Sequence, residues 1–280
     1  MSVTVKPVMA DIWKMDGGVT FGVVPKALWT RSYPEDENNL VKLASRCLLI
    51  ESEGRKILVN AGMGRKQNAK YYKFKYIDDS VSLLDSLKNI GVSPDEITDV
   101  LFTHLHDDHV GGATVLNENG DSVTLFKNAD YWCSETQWNW AINPNIREAA
   151  SFLPENLIPL RESGRLKFTH PDKEFVKGVV LKEYEGHTKG LLVPIIDTGS
   201  KVFAYVSDLI PLTAHIPLVY ISSVDIQPMK VLEEKESFLN EVVENNYTLL
   251  FEHDYYTECA TVLKNEKGFK MKESLLIDNA

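Results

Sequence analysis

Residues 103–109 read Thr-His-Leu-His-Asp-Asp-His, placing three of the chain's seven histidines and two aspartates in seven positions. The preceding Asp-Val-Leu-Phe-Thr reads as a buried strand ending at Thr103, and Gly111-Gly112 follows, which lets the chain turn tightly away. His104 and His106 are two apart, so in an extended segment both project to one side. Neutral imidazoles together with a carboxylate suit zinc or a similar borderline transition metal. A solvated histidine-rich loop is the plainer alternative. Four potential ligands in six positions, between a strand and a double glycine, argue against it. The chain must therefore build an α/β framework that delivers this loop from a strand end, where such proteins commonly place their chemistry.

Three more candidate ligands also stand at the ends of expected strands. His187 follows Val-Val-Leu-Lys-Glu-Tyr-Glu-Gly, Asp208 follows Lys-Val-Phe-Ala-Tyr-Val-Ser, and His253 follows Thr-Leu-Leu-Phe-Glu. Around them the pattern alternates between strand and helix. Cys-Leu-Leu-Ile-Glu-Ser and Lys-Ile-Leu-Val-Asn read as strands joined by a tight turn at Gly54. Residues 80–91 have helical spacing with Gly91 as a C-terminal cap, and Ser93-Pro94-Asp95-Glu96 opens a short helix. Residues 191–197 and 201–208 form a hairpin around Thr198-Gly199-Ser200. Residues 229–246 form an amphipathic helix with Val231, Leu232, Phe238, Leu239, Val242 and Val243 on one face, and a last hairpin turns near Gly268. No repeat or linker divides the chain, so residues 1–280 are expected to form a single domain of two β-then-α halves.

Composition narrows the function classes. With 44% apolar and 25% charged residues the chain can bury a sizeable core. A formal net charge of −10 and the absence of any Lys/Arg cluster argue against nucleic acid as a partner. Cys47, Cys133 and Cys259 are widely separated and odd in number, which fits buried thiols better than a zinc ribbon or a disulfide framework. The N-terminus lacks the basic-then-apolar pattern of a signal peptide, and no apolar run reaches membrane-spanning length. A cytoplasmic location with no membrane partner is the expectation.

His104, His106, Asp108 and His109 match the H-x-H-x-D-H motif of the metallo-β-lactamase superfamily, which the chain resembles over most of its length. Gly186-His187-Thr188 matches the later histidine of that family, Asp208 its bridging aspartate and His253 its final histidine. The resemblance implies a four-layer αβ/βα sandwich, an α/β (α+β) fold. It also implies two divalent metal ions, Zn2+ first and Mn2+, Fe2+ or Co2+ as alternatives. By the same resemblance His104, His106 and His187 hold one metal, Asp108, His109 and His253 hold the other, and Asp208 bridges them. His106 stands where the oxygen-reducing di-iron branch typically has glutamate. Asp208 stands where one class of true β-lactamases has cysteine, and the acidic chain disfavours the tRNA-processing branch. One departure is Asn60-Ala61-Gly62, where the family usually has Asp-Thr-Gly: asparagine keeps hydrogen bonds to the ligands but removes a charge.

Residues 17–29, 46–51 and 207–217 look most like the quorum-quenching lactonases and methyl parathion hydrolase. That resemblance implies hydrolysis of an ester-like bond by a metal-bridging hydroxide, with Asp108 as the acid–base residue. The substrate it favours is a small-molecule lactone, such as an acyl-homoserine lactone, with esterase or phosphotriesterase activity beside it. A glyoxalase II-like thioesterase and a non-catalytic zinc-stabilised binding module are the alternatives, and a homodimer is compatible with the family. In another lactonase branch a tyrosine just after the bridging aspartate assists catalysis. Here Leu209 and Ile210 take that place.

Phe21 and Trp29 are expected as apolar walls of a loop leaning over the metals, with His215 lining the substrate pocket or capping a turn. Trp132, Trp138 and Trp140 read as core packing, His170 as a loop residue, and Glu233, Glu234 and Glu236 as the wet face of the long helix. Asp107 occupies the variable position of the motif and is not expected to ligate.

Overall fold

Strand Leu40–Ser52 explains the layering. Its side chains alternate between two apolar environments: Leu48 and Ile50 face one core, Cys47 and Leu49 another. Such a strand must be covered on both faces. In the computed structural model, which describes residues 3–171 and 173–277, it lies in a six-stranded sheet. The order is Thr4–Asp16, Leu40–Ser52, Arg55–Val59, Asp99–Leu101, Asp130–Ser134 and Leu166–Thr169. The first three run antiparallel, and the last four are mutually parallel.

A second, seven-stranded sheet runs from Gly268–Leu275 through Cys259–Asn265, Thr248–Leu250, Val202–Tyr205, Leu191–Asp197 and Val179–Tyr184 to Glu174–Val176. Leu48, Ile50, Ile57, Val59 and Leu101 of the first sheet pack against Leu181, Leu192, Phe203 and Leu250 of the second. Helices Leu83–Asn89, Glu135–Ala141 and Pro154–Glu162 cover the outer face of the first sheet, and Pro228–Asn245 covers the outer face of the second. The result is helix, sheet, sheet, helix, the expected four-layer sandwich. Among the described residues no helix is long and apolar enough to cross a membrane.

Several local expectations hold. Gly54 turns the first hairpin at a φ of 81°, and Ser93 and Glu96 form a capping box on the short helix Pro94–Glu96. Cys47, Cys133 and Cys259 are buried free thiols. The helix expected over 80–91 is confined to Leu83–Asn89, because the Ser82 side chain accepts from the Asp85 amide and caps it late.

The long helix differs on one face. Leu232 and Val243 are only half-buried, whereas Lys235 is buried with its Nζ donating to the carbonyls of His215, Pro217 and Tyr220. Burial pushes that ammonium down to about 7, and the three carbonyls compensate its lost hydration. Glu234 is not simply on the wet face, since it accepts from the amides of Glu185 and Gly186 and so tethers the loop before His187.

Leu181 lies between the sheets with no exposed surface. Leu181→Ala is expected to lower stability by about 2–5 kcal/mol through lost burial and the cavity left behind. The check is a denaturant titration showing an earlier midpoint at unchanged slope.

Candidate metal centre

The motif loop leaves strand Asp99–Leu101 and is fixed from both sheets. The Thr103 amide donates to Asn60 Oδ1 at 2.9 Å, and the Leu192 amide donates to the Thr103 carbonyl at 2.7 Å. Asp107–Val110 then forms one helical turn. Gly111 has an ordinary helical φ of −56°, so the double glycine is not needed for an unusual turn. Its role is close approach: a Cβ at Gly111 would lie 2.2 Å from the Met63 carbonyl oxygen, and one at Gly112 2.0 Å from that of Ala61. The pair lets the backbone carrying Asn60 pack directly under the motif.

His187 arrives on the loop after Val179–Tyr184, and His253 on the loop after Thr248–Leu250. Asp208 sits in a single turn, Ser207–Leu209, whose first residue holds a left-handed φ of 42°. All seven predicted ligands converge at the ends of strands from both sheets. The imidazoles of His104, His106 and His187 form one group whose ligand atoms lie within 4.8 Å of one another. His109, Asp208, Glu252 and His253 form a second such group, in which Glu252 reaches the outward ring nitrogen of His109.

Asp208 faces both groups. Its Oδ2 is 3.2 Å from His187 Nε2 and 3.9 Å from His104 Nε2, while its Oδ1 is 3.0 Å from His253 Nε2 and 3.5 Å from His109 Nε2. Asp108 flanks the second group, its oxygens 3.6 and 3.7 Å from His109 and His253.

Each histidine has one ring nitrogen held by the protein and the other turned inward. His106 Nε2 meets Glu148 at 3.2 Å, His187 Nδ1 meets Asp225 at 2.7 Å, and His109 Nδ1 meets Glu252 at 3.1 Å. His253 Nδ1 donates to the Ala44 carbonyl at 2.7 Å, and His104 Nδ1 lies 3.2 Å from the Thr103 hydroxyl. Outer partners of this kind fix the tautomer and aim of a metal-ligating imidazole. The supporting acids lie far from the motif in sequence and carry no spacing signal.

Burial drives His104 well below the usual histidine range, and the neighbouring His109 and His106 push it the same way. Burial also opposes charge on His187, His109 and His253, but nearby carboxylates overcome it. Asp208 raises His187 and lifts His253 to about 9, and Glu252 raises His109. Despite its own burial, Asp208 is held well below the carboxylate range by His253, His109 and His187. His104 Nε2 is buried without a hydrogen-bond partner, facing the other imidazoles and Asp208. An unpartnered imidazole nitrogen inside a ring of inward-turned imidazoles and carboxylates is a donor set that fits a metal ion.

The sequence profile of the metallo-beta-lactamase superfamily matches residues 41–253, a span that contains every one of these residues. The chain belongs to the metallo-beta-lactamase superfamily. Curated relatives include N-acyl homoserine lactonases of Bacillus sp and Bacillus thuringiensis, 26% and 27% identical over 172 and 169 residues. Those matches cover 57% of this chain and 60% of each relative, so the chain spans well under two thirds of their length. A probable metal-dependent hydrolase from Staphylococcus aureus superposes with a TM-score of 0.86 at 27% identity, covering 98% of this chain and 99% of that one. AidC, a dizinc quorum-quenching lactonase, shares the superfamily fold with a TM-score of 0.80 at 20% identity, covering 98% of this chain and 95% of its own.

A cleft opens over the two groups, with Asp108, His187 and Asp208 at the floor of both its lobes. The narrow lobe, about 40 Å³, is walled by Trp13, Met15, Thr20, Leu43, Pro211 and Leu212. The wider lobe, about 300 Å³, carries Lys75, Arg147, Glu148 and Ser223. Phe21, Trp29 and His215 do not line it, contrary to expectation. They form a buried stack behind the wall, with ring centroids 4.7 Å apart for Phe21–Trp29 and 5.1 Å for Phe21–His215. His215 Nε2 donates to the Thr20 carbonyl, and burial pushes this imidazole down to about 3, so it acts as a neutral brace.

Trp13, Met15 and Leu212 supply the apolar wall expected of Phe21 and Trp29. Trp138 and Trp132 pack in the core as expected, and Trp140 Nε1 donates to Glu148, bracing the acid behind His106. Asp107 accepts from the Tyr71 hydroxyl and pairs with Lys75 at 3.0 Å, which agrees with its exclusion as a ligand.

To ligate, His109, His187 and His253 must shed protons that their carboxylate neighbours hold in place. For His253 the stabilisation that proton gives the ion-free protein is complete below the ordinary value of 6.5 and is lost as pH climbs to about 9. Zinc affinity of chelator-treated protein should therefore rise with pH across the same window, with fewer protons released on binding at each step. Titration calorimetry in buffers of different ionisation enthalpy checks this. An affinity flat between pH 6.5 and 9 would contradict the assignment.

Proposed function

We propose that this chain is a dinuclear metal-dependent hydrolase of ester-like bonds, with a lactone as the favoured substrate class. The observation that carries the proposal is the shared carboxylate of Asp208, whose two oxygens face two separate sets of imidazoles. A mononuclear structural zinc site would need four closed ligands and no bridging acid. His104, His106 and His187 would hold one cation, Asp108, His109 and His253 the other, with Asp208 between them. Zinc suits this set best, since most donors are imidazoles. When bound, the pair supplies Lewis-acid polarisation of the scissile carbonyl and a nucleophile active at neutral pH.

The chain's own residues do the rest. Asp108 is held ionised, chiefly by His109 and His253 working against its burial, and it lies on the cleft floor. A carboxylate so placed accepts the nucleophile's proton and returns it to the leaving alkoxide. Trp13, Leu43 and Leu212 keep one side of the reacting carbonyl dry, which strengthens every charge interaction on the floor. The lactonase names carried by the curated relatives support the substrate class. A thioesterase acting on an acidic thiol needs cations at the mouth, and in the wider lobe the charge of Lys75 is already countered, which leaves Arg147. Lys75 pairs with Asp107, and the Arg147 guanidinium donates to the Ser223 carbonyl. Because both sheets supply site residues, residues 1–280 are read as one functional domain.

Zinc-loaded protein should contain two equivalents per chain and turn over at least one of a panel of lactones, thioesters, p-nitrophenyl esters and phosphotriesters, the lactones fastest. Asp108→Asn should lower kcat by ~10²–10⁴-fold through lost proton transfer. Asp208→Ala should bind fewer than two equivalents. Full metal loading with no turnover of any of the four classes would sink the proposal.

A further inference from the structure

Asn60 leaves the centre without the acid that the superfamily usually places at this position, yet a buried carboxylate is present. Glu252 has no exposed surface, and its Oε2 lies 3.1 Å from His109 Nδ1. The same oxygen accepts from Asn60 Nδ2 at 2.7 Å and from the Ser207 hydroxyl at 3.3 Å. The amide of Asn60 cannot be turned over freely, because its Oδ1 accepts from the Thr103 backbone at 2.9 Å. That contact turns Nδ2 toward Glu252, its shortest partner, with the Thr103 hydroxyl at 2.9 Å and His109 Nδ1 at 3.1 Å also in reach. Asparagine and aspartate both tolerate the left-handed φ of 59° at this position, so backbone conformation does not decide between them.

Hydrogen-bond complementarity does decide. An aspartate at 60 would replace the donor Nδ2 with an acceptor oxygen 2.7 Å from the Glu252 carboxylate oxygen, setting two acceptors against each other in a pocket without solvent. An amide at 60 and an acid at 252 are complementary, as an acid at 60 and an amide at 252 would be. We propose that the carboxylate behind His109 has moved in this chain from position 60 to position 252, with Asn60 as its obligatory partner. Glu252 is then a positioning residue. It acts through His109, holding the Nδ1 proton so that Nε2 points into the second metal site. One strand end thus delivers both a ligand, His253, and the support of the neighbouring ligand.

The inference rests on the dinuclear reading above, and the test separates the two. Full-length wild type, E252Q, N60D and the N60D/E252Q double variant would be stripped of metal and titrated with zinc against a chromophoric chelator. Melting of the metal-free forms would report folding. Wild type should take two equivalents. E252Q should keep the first and bind the second about 10–100-fold more weakly, as loss of an outer-shell partner does. N60D alone should also weaken the second site, and the double variant should recover to within about threefold of wild type, a strongly non-additive cycle.

Either single variant binding its second equivalent like wild type would overturn the exchange. So would a double variant no better than the weaker single while its metal-free form melts like wild type. A wild type that never takes two equivalents would remove the dinuclear reading and this inference with it, an outcome distinct from a two-equivalent wild type with an indifferent E252Q.

Discussion

A carboxylate shielded from water is costly to keep ionised, and at the half-buried Asp208 the surrounding imidazoles offset that cost. One oxygen serves His187 and His104, the other His253 and His109, so the position of this single side chain sets the spacing of everything else in the centre. The backbone bears a local cost for it. Ser207 adopts a left-handed conformation to aim Asp208, and its hydroxyl is anchored by Thr103 at 2.9 Å and by Glu252. Those anchors are the residues that also brace His104 and His109. Strain, charge and hydrogen bonding are thus solved together in one small volume.

The two sheets meet where this volume needs them. Strand Leu40–Ser52 stays paired with Thr4–Asp16 on one edge, and on the other, before its pairing with Arg55–Val59 begins, it receives the loop that carries His253, with the Ala44 and Arg46 amides donating to the carbonyls of His253 and Glu252. Buried Arg46 donates in turn to the carbonyls of Phe251 and Asp254, and the Tyr205 hydroxyl donates to the Arg46 carbonyl. An arginine in such a place is a splint: it satisfies a cluster of carbonyls that an open sheet edge would leave without partners.

The seven candidate ligands were legible in the sequence because four share one short motif and the other three each follow a strand. Their supports were not. Glu148, Asp225 and Glu252 are ordinary acids by composition, and only the fold brings them against His106, His187 and His109. The substrate wall was misread for a related reason. Residues 17–29 do lie near the centre, but periodicity cannot say that Phe21 turns inward to stack on His215 while Thr20 reaches the cleft. Strand Thr4–Asp16 escaped notice because a register shift between Met9 and Asp11 interrupts its alternation. The double glycine was recognised, but its reason is contact with a neighbouring backbone, which no local pattern encodes.

The route of the chain through the centre has a kinetic side. The contact between His109 and His253 closes a separation of 144 residues, and the loop bearing His253 is held by Ala44 from 209 residues away. Long closures of this kind form late, after local helices and hairpins have settled. During synthesis the first histidine cluster emerges well before its final partners exist. The cluster of His109, Asp208 and His253 is therefore among the last features to mature, and on the dinuclear proposal ion capture there would serve as a latch on a sandwich already assembled.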